Sequence, residues 1–395
     1  MLDINKKAQF SQILKHLADS LDISETRYKD AVEKYEAVGK WLSKDGSPLA
    51  VFNPEISPQG SFNIGTVTKP INHEDEYDID LVCLLNISID TISQQLLKKM
   101  VGDRLKANKI YEKLLDKEGR RCWTLNYAND AKFHMDILPA IPDEYLWLVR
   151  LGVPYDLAKH AICITDKKTW DDDSDWPRSN PKGYAAWFRN HMAVIFAEQK
   201  RTLALRMKAH IDDVPDYQVK TPLQRSIQIL KRHRDIMFID DPENKPISMI
   251  ITTLAALAYN NETDLYDSLI SIVRGMPAYI SSQNGSPWVP NPVNPKENFA
   301  DKWTEYPERA GKFQKWLGQV EKDITSSLEY TGINKIGDAL KPALGERSVD
   351  TAMTAYGKEI KNQRQNGQLK MVTGTGILGI SGQTPVKDHT FYGKV

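Results

Sequence analysis

The sequence predicts an α+β fold, a mixed sheet with flanking helices followed by a helical C-terminal region. Two short apolar runs, Leu81 to Leu85 and Phe133 to Leu138, have the length of strands and no helical spacing. Around them, apolar residues recur every three or four positions, as amphipathic helices require. At 395 residues and 41% hydrophobic content, the chain is long enough for two lobes with an ordinary core.

Taken in order, residues 1–45 read as two N-terminal helices packing on the core. In the second, Tyr28, Val32, Tyr35, Val38 and Leu42 form one stripe at helical spacing, which is core packing and not a cofactor box. Residues 46–215 hold a Gly-Ser turn, the apolar strands, a helix over 93–115, a strand over 121–127, a polar loop over 169–181 and a helix over 184–208. Residues 216–340 read mainly as helices, over 222–238, 248–259, 265–273 and 302–328, with a Pro- and Asn-rich connection over 286–295. Residues 341–395 carry Gly, Ser and Thr with little apolar periodicity and read as a flexible tail.

The chemistry is concentrated in the second stretch. Asp78 and Asp80 are two apart, so in a strand both project from one face. The apolar run that follows says this is a buried strand and not a surface loop. Two carboxylates at its mouth repel unless a cation sits between them, and hard oxygen ligands suit Mg²⁺. Asp136 lies in the second strand. If the two strands pair, three carboxylates make a site for two ions about 3.5–4 Å apart. Upstream, Gly60 allows close backbone approach to a ligand and Ser61 offers a helix-start donor for phosphate. His134 projects to the same face as Asp136 and is open to three readings: orienting a ligand, acting as a base, or packing structurally.

In this order the residues resemble the polymerase-β-like nucleotidyltransferases: Gln59-Gly60-Ser61, Asp78-Ile79-Asp80 and Met135-Asp136-Ile137. More narrowly, the chain resembles the bacterial cGAS/DncV-like nucleotidyltransferases, the signal synthases of CBASS anti-phage systems. The further segments that carry this likeness are Asn180-Pro181-Lys182-Gly183-Tyr184 with Trp187-Phe188, Leu223 to Asp235, Pro246 to Ile251, Asn291-Pro292-Val293-Asn294 and Glu297 to Trp303. It implies a bilobal fold with the active site in the cleft: a catalytic core over 46–215 and a helical domain, similar to that of oligoadenylate synthases, over 216–340. The gap between Gly-Ser and Asp78 is longer than is common in the family, which predicts an extra loop over Thr68 to Glu76.

The basic helix around Lys231 reads, from spacing alone, as a solvated face. The resemblance instead makes Lys231 and Ser248 the residues that hold the donor triphosphate, with Ser61, Gly60 and Gln59, and by a looser match Arg121. It implies nucleoside triphosphates, ATP and/or GTP, as substrates and two Mg²⁺ ions, or Mn²⁺ in their place, on Asp78, Asp80 and Asp136. The expected reaction is in-line attack of a ribose hydroxyl on the α-phosphorus, repeated to close a cyclic di- or trinucleotide that activates a downstream effector. Two alternatives share the motif: a transferase making linear oligonucleotides or tailing RNA, and a silent nucleotide sensor.

Lys+Arg and Asp+Glu are both 52, so no basic excess points to an obligatory nucleic-acid partner. Three scattered cysteines, Cys83, Cys122 and Cys163, suggest a reducing compartment with neither disulfides nor a zinc ribbon. Without a signal peptide or a long apolar run, the expected location is the cytoplasm, with no membrane partner. Gly374-Thr375-Gly376-Ile377-Leu378-Gly379 fits a dinucleotide fingerprint but lacks its βαβ setting. Asp171 to Asp175 imitates a calcium loop but has Trp176 and Lys182 where Gly and Glu are needed. Asp235 reads as a partner for neighbouring Arg or Lys. The terminal segment His389 to Val395 is open to two readings, simple disorder or a docking or conjugation segment, with a regulatory protein as the partner.

Overall fold

The computed structural model describes residues 3–72, 76–127, 133–172 and 175–387. Two compact units divide the chain, one of Ile23–Ala193 with Trp288–Phe299, the other of Met1–Asp22, Val194–Pro287 and Ala300–Val395. In chain order come α1 (Ile4–Leu21), α2 (Glu25–Ser43), β1 (Glu55–Pro58), α3 (Gly60–Asn63), β2 (Tyr77–Leu84), α4 (Gln94–Lys106), α5 (Lys109–Leu114), β3 (Trp123–Asn126) and β4 (Phe133–Pro142). They are followed by α6 (Leu146–Arg150), α7 (Tyr155–Ala158), β5 (Ile162–Ile164), β6 (Arg178–Ser179) and α8 (Pro181–Met207).

In the sheet unit, β1, β2, β4, β5 and β6 lie side by side in that order, and β3 also pairs with β4. The β2–β4 pair is parallel and the others are antiparallel. Because side chains alternate across a strand, the two central strands divide their residues cleanly. Ile79, Leu81 and Cys83 of β2 join Phe133, Met135 and Ile137 of β4 in a buried cluster with Leu97, Val101 and Leu105 of α4. The opposite face changes character along its length. Its far half is apolar, with Val82, Leu138, Ala140, Ile162 and Ile164 packed together. Its near half carries Asp78, Asp80, His134 and Asp136.

Local devices brace this sheet. Asn180 starts α8 by accepting the Gly183 N–H at 3.0 Å while its amide donates to the Leu157 carbonyl at 3.0 Å. A Cβ at Gly183 would sit 2.5 Å from Asn180 Oδ1, which explains the Asn-Pro-x-Gly sequence physically. Arg189 of α8 donates to the Asn63 carbonyl at 3.0 Å, tying down the end of α3. Buried Lys98 donates to the carbonyls of Gly119 and Arg120 at 2.6 and 2.9 Å and so pins the approach to β3.

The second unit is helical. Its elements are α1 and the later part of α8, then α9 (Pro222–Met237), α10 (Ser248–Ala258), α11 (Leu265–Gly275), α12 (Lys302–Glu305), α13 (Glu308–Glu329), α14 (Ile333–Leu344) and α15 (Glu346–Gln365). Thr221 and Gln224 cap α9 reciprocally and Pro222 opens it. Phe10, Ile13, Leu14, Leu17 and Leu21 of α1 are buried to within 1%. Strands β7 (Ser281–Gln283) and β8 (Ser286–Trp288) form a hairpin, whereas β9 (Pro290–Asn291) and β10 (Asn294–Asn298), which pair with each other, belong to the sheet unit.

Four sequence expectations are corrected. The two N-terminal helices do not act together: α1 belongs to the helical unit and α2 to the sheet unit. The helix expected over 93–115 is two, because Asn108 stops α4 and caps α5 by accepting the N–H groups of Ile110 and Tyr111. The helix over 302–328 breaks before Pro307, which cannot donate to a continuing ladder. The flexible tail from 341 is largely ordered structure. α15 buries Val349, Ala352 and Tyr356, packing along α1; Gln9 donates to the Tyr356 hydroxyl at 3.2 Å and His16 meets Glu359 at 2.6 Å. Beyond it, β11 (Lys370–Met371), β12 (Leu378–Gly379) and β13 (Thr384–Pro385) make a small sheet, and Gly374 and Gly376 turn between β11 and β12 with positive φ. The Gly-x-Gly of the tail is therefore a strand connection. The terminal segment from His389 and part of the Asp171 to Asp175 loop lie outside the described residues, as do residues 73–75 of the Thr68 to Glu76 loop.

Candidate active site

The acidic face is built by register. Asp80 of β2 lies directly opposite Asp136 of β4, and Asp78 opposite His134. Asp136 is thus the middle member of three strands, with Asp80 on one side and Thr124 of β3 on the other. Thr124 Oγ1 donates to Asp136 Oδ1 at 2.5 Å. His134 pairs with Glu76 just before β2. Asp78 is exposed, whereas Asp80 and Asp136 are half-buried.

The electrostatics follow from this crowding. Burial, then Asp136 and Asp78, push the Asp80 carboxyl up to about 6. Asp78, exposed as a residue but with its carboxyl partly screened from water by the sheet, is raised by that desolvation and by Asp136, with Glu76 adding to the effect and His134 opposing it. These are like charges held close together, and a positive charge arriving at the face relieves their repulsion. Among the described residues no three such side chains already close around one point. That donor set suits a cation that arrives with phosphate oxygens of its own.

Gly60 is the second component. It has φ +60°, and a Cβ there would lie 2.8 Å from Asp80 Oδ2. Only glycine brings backbone this close to the carboxylate without strain. The Gln59 N–H donates to the Asp80 carbonyl at 2.8 Å, locking the turn to β2. Gln59 occupies the cap position of α3 without a side-chain cap bond, and Ser61 falls inside the turn instead of capping it. Next to it, Phe62 stacks on Tyr28 of α2 with ring centroids 4.8 Å apart, so the stripe read as core packing anchors the turn.

The remaining candidates are Arg121, Lys231 and Ser248. Arg121 does not begin β3; its Nε donates to Asp166 Oδ2 at 2.8 Å, beside Arg120 on the same carboxylate. Burial pushes Asp166 up, but the bonds from Arg120, the Lys168 N–H and Arg121 more than reverse this and hold it below the usual carboxylate range. In the helical unit, the basic run of α9 is not a solvated face. Lys231, Arg232, His233 and Arg234 are all buried. Arg234 donates to the Pro246 carbonyl at 3.0 Å and to Ser248 Oγ at 2.9 Å, at the first residue of α10. His233 pairs with Asp323, and Asp235 with Arg234 and Lys245, as its setting suggested. Burial pushes Lys231 down to about 7, with Arg234 adding to the effect and Asp235 opposing it.

Two members of the acidic face escaped sequence reasoning, Thr124 and Glu76. The burial of Trp123 and Leu125 alternates with half-exposed Thr124 and Asn126, so a period-two reading marks Thr124 as outward. Only the pairing of β3 with β4 tells which face that is.

A family model described as the nucleotidyltransferase domain of cyclic GMP-AMP synthase DncV-like proteins matches residues 54–139, the stretch that carries Gln59, Gly60, Ser61 and all three aspartates. The chain is 31% identical over 397 residues to a c-di-GMP synthase of Roseivirga ehrenbergii, covering 100% of both. It is 26% identical over 378 residues to the cyclic dinucleotide synthase CdnG of Bradyrhizobium diazoefficiens, covering 90% of this chain and 85% of that one. The solved structure of that CdnG in complex with GTP superposes with a TM-score of 0.68 at 22% identity, over 88% of this chain and 99% of the other, a likeness of fold. Among the described residues no helix is long and apolar enough to cross a membrane. The full-length relationship shows that the chain belongs to the bacterial cGAS/DncV-like nucleotidyltransferases and is an enzyme of that class.

Proposed function

We propose that the chain joins purine nucleoside triphosphates, GTP among them, into a cyclic dinucleotide through two rounds of nucleotidyl transfer on the acidic face of β2 and β4. The observation that carries this reading is the register: Asp80 opposite Asp136, Asp78 two residues away on the same face, and Gly60 backbone pressed against the Asp80 carboxylate. The names of the Roseivirga and Bradyrhizobium relatives both support a ring-closed dinucleotide, and the Roseivirga name supports guanine as a base.

Asp78, Asp80 and Asp136 are the residues that would hold Mg²⁺, or Mn²⁺. Their hard oxygens and mutual repulsion fit a divalent cation, which when bound supplies charge to the phosphates and acidity to the acceptor hydroxyl. The chain's own groups do the rest. Gly60 gives the triphosphate room to approach the backbone, and Ser61 adds a hydroxyl donor. In the helical unit, Lys231 is the candidate cation for phosphate and Ser248 the candidate hydroxyl at a helix start. Gln59 acts through the turn it opens. Arg121, already engaged by Asp166, is the weakest of the candidates carried over from the family. Asp136 keeps one oxygen on Thr124 and offers the other to the reacting groups. We place the enzyme in the cytoplasm, in an anti-phage signalling system where its product turns on an effector.

The test is incubation of the pure protein with each pair of nucleoside triphosphates and Mg²⁺, followed by phosphatase and mass spectrometry. A phosphatase-resistant product of cyclic mass, absent with Asp78→Asn, is the expected result. Phosphatase-sensitive products alone would mean linear synthesis, and tight binding without any product would mean a sensor.

A further inference from the structure

We propose that Thr124 is a positioning residue for nucleotidyl transfer, its hydroxyl holding the Asp136 carboxylate in the orientation the reaction uses. The inference rests on the reading of Asp136 given above.

The geometry isolates this contact. Asp136 has a strand on each side, and the two neighbours at its level differ in kind: Asp80 is a second carboxylate and Thr124 a hydroxyl donor. A carboxylate beside another carboxylate gains by turning away from it, and the shortest hydrogen bond that holds Asp136 comes from Thr124 at 2.5 Å, with the Cys122 thiol as a second and weaker partner. A β-branched residue in a strand has few accessible rotamers, so the donor itself is stiff. The bond is short and charge-assisted, the stronger kind. It engages Oδ1.

A thiol also lies close to the hydroxyl and to Asp136. Cys122 Sγ lies 3.9 Å from Thr124 Oγ1.

Thr124 is half-exposed. Water replaces its hydroxyl bond for stability purposes, so the fold does not depend on it, whereas a carboxylate free to swing loses its aim. Groups that orient metal-binding carboxylates typically change activity or metal affinity by about 10–100-fold when removed.

The experiment compares Thr124→Val, which keeps the shape and removes the donor, with Thr124→Ser, which keeps the donor. Both are read by kcat and KM for GTP, by melting temperature, and by Mn²⁺ titration monitored by electron paramagnetic resonance with a non-hydrolysable GTP analogue. The expected result for Thr124→Val is a kcat at least about tenfold lower and Mn²⁺ binding about tenfold weaker, with melting unchanged. Thr124→Ser stays within about threefold of wild type on each count. Should Thr124→Val melt early, Thr124→Ala is read in its place. Wild-type kcat and Mn²⁺ binding in Thr124→Val overturn the proposal, as does a Thr124→Ser variant that falls equally far. Asp136→Asn separates the levels: if it is inactive while Thr124→Val is normal, only the role of Thr124 fails. If Asp136→Asn retains turnover, the site reading fails and this proposal with it.

Discussion

Replacing Asp80 by Asn should stabilise the protein while abolishing its activity. Burial, Asp136 and Asp78 raise the Asp80 carboxyl from an ordinary 3.8 to about 6. Each tenfold change in the proton equilibrium is about 1.4 kcal/mol, so the ionised form costs the fold about 3 kcal/mol at neutral pH when no cation is present. Asn occupies the same space without the charge but still needs hydrogen-bond partners, so the expected gain is about 1–3 kcal/mol. The sign follows from proton binding. Between about pH 4 and 6 the folded state holds a proton on Asp80 that the unfolded chain has released. Wild-type stability should fall as pH rises through that window, and the advantage of Asp80→Asn should grow over the same range and vanish below it. The assay is chemical denaturation in EDTA from pH 4 to 8, repeated with Mg²⁺ and a non-hydrolysable GTP analogue, which should stabilise the wild type and leave the variant unmoved. An Asp80→Asn protein no more stable than wild type at pH 7.5, with a flat wild-type profile from pH 4 to 6, would refute the reasoning that this face is held under repulsion.

Other perturbations separate the parts of the account. Gly60→Ala forces a Cβ to 2.8 Å from Asp80 Oδ2 at φ +60° and should cost about 1–3 kcal/mol together with most of the turnover, measured by denaturation and product formation. Lys231→Met should raise KM for the triphosphate by about tenfold while raising the melting temperature, because burial and Arg234 make the charge of Lys231 costly; an unchanged KM would remove Lys231 from the binding set. Tyr356→Ala empties a side chain only 3% exposed and should destabilise by about 3 kcal/mol in chemical denaturation. A loss below about 0.5 kcal/mol would restore the tail reading of this region.

The sequence exposed the chemistry of the site better than its surroundings, for identifiable reasons. Asp78 and Asp80 declare a shared face through period two, and Leu81 to Leu85 declares a buried strand. What period two cannot supply is register: that Asp136 stands level with Asp80, and Thr124 level with Asp136, depends on pairing between strands far apart in sequence. Composition misled in α9. Lys231, Arg232, His233 and Arg234 look solvated because such residues usually are, but groups distant in sequence, such as Asp323 and the Pro246 carbonyl, make burial affordable for two of them. The tail misled for the opposite reason. Val349, Ala352 and Tyr356 form a thin stripe on an otherwise polar helix, and α1 supplies the apolar surface that makes three residues enough. The Gly60 turn was legible as a close approach to a ligand; that it also approaches Asp80 was not, because the reach of a backbone toward its neighbouring strand is a tertiary fact.

The central claim is ring-closing nucleotidyl transfer on the β2–β4 acidic face. Its most direct measurement is mass analysis of the product from GTP and Mg²⁺ with wild-type protein and with Asp136→Asn, run side by side at equal folded concentration. The account predicts a phosphatase-resistant cyclic dinucleotide from the wild type, pyrophosphate released in proportion, and neither from the variant. The same cyclic product from Asp136→Asn, or only phosphatase-sensitive linear products from the wild type with every nucleotide pair, would contradict it.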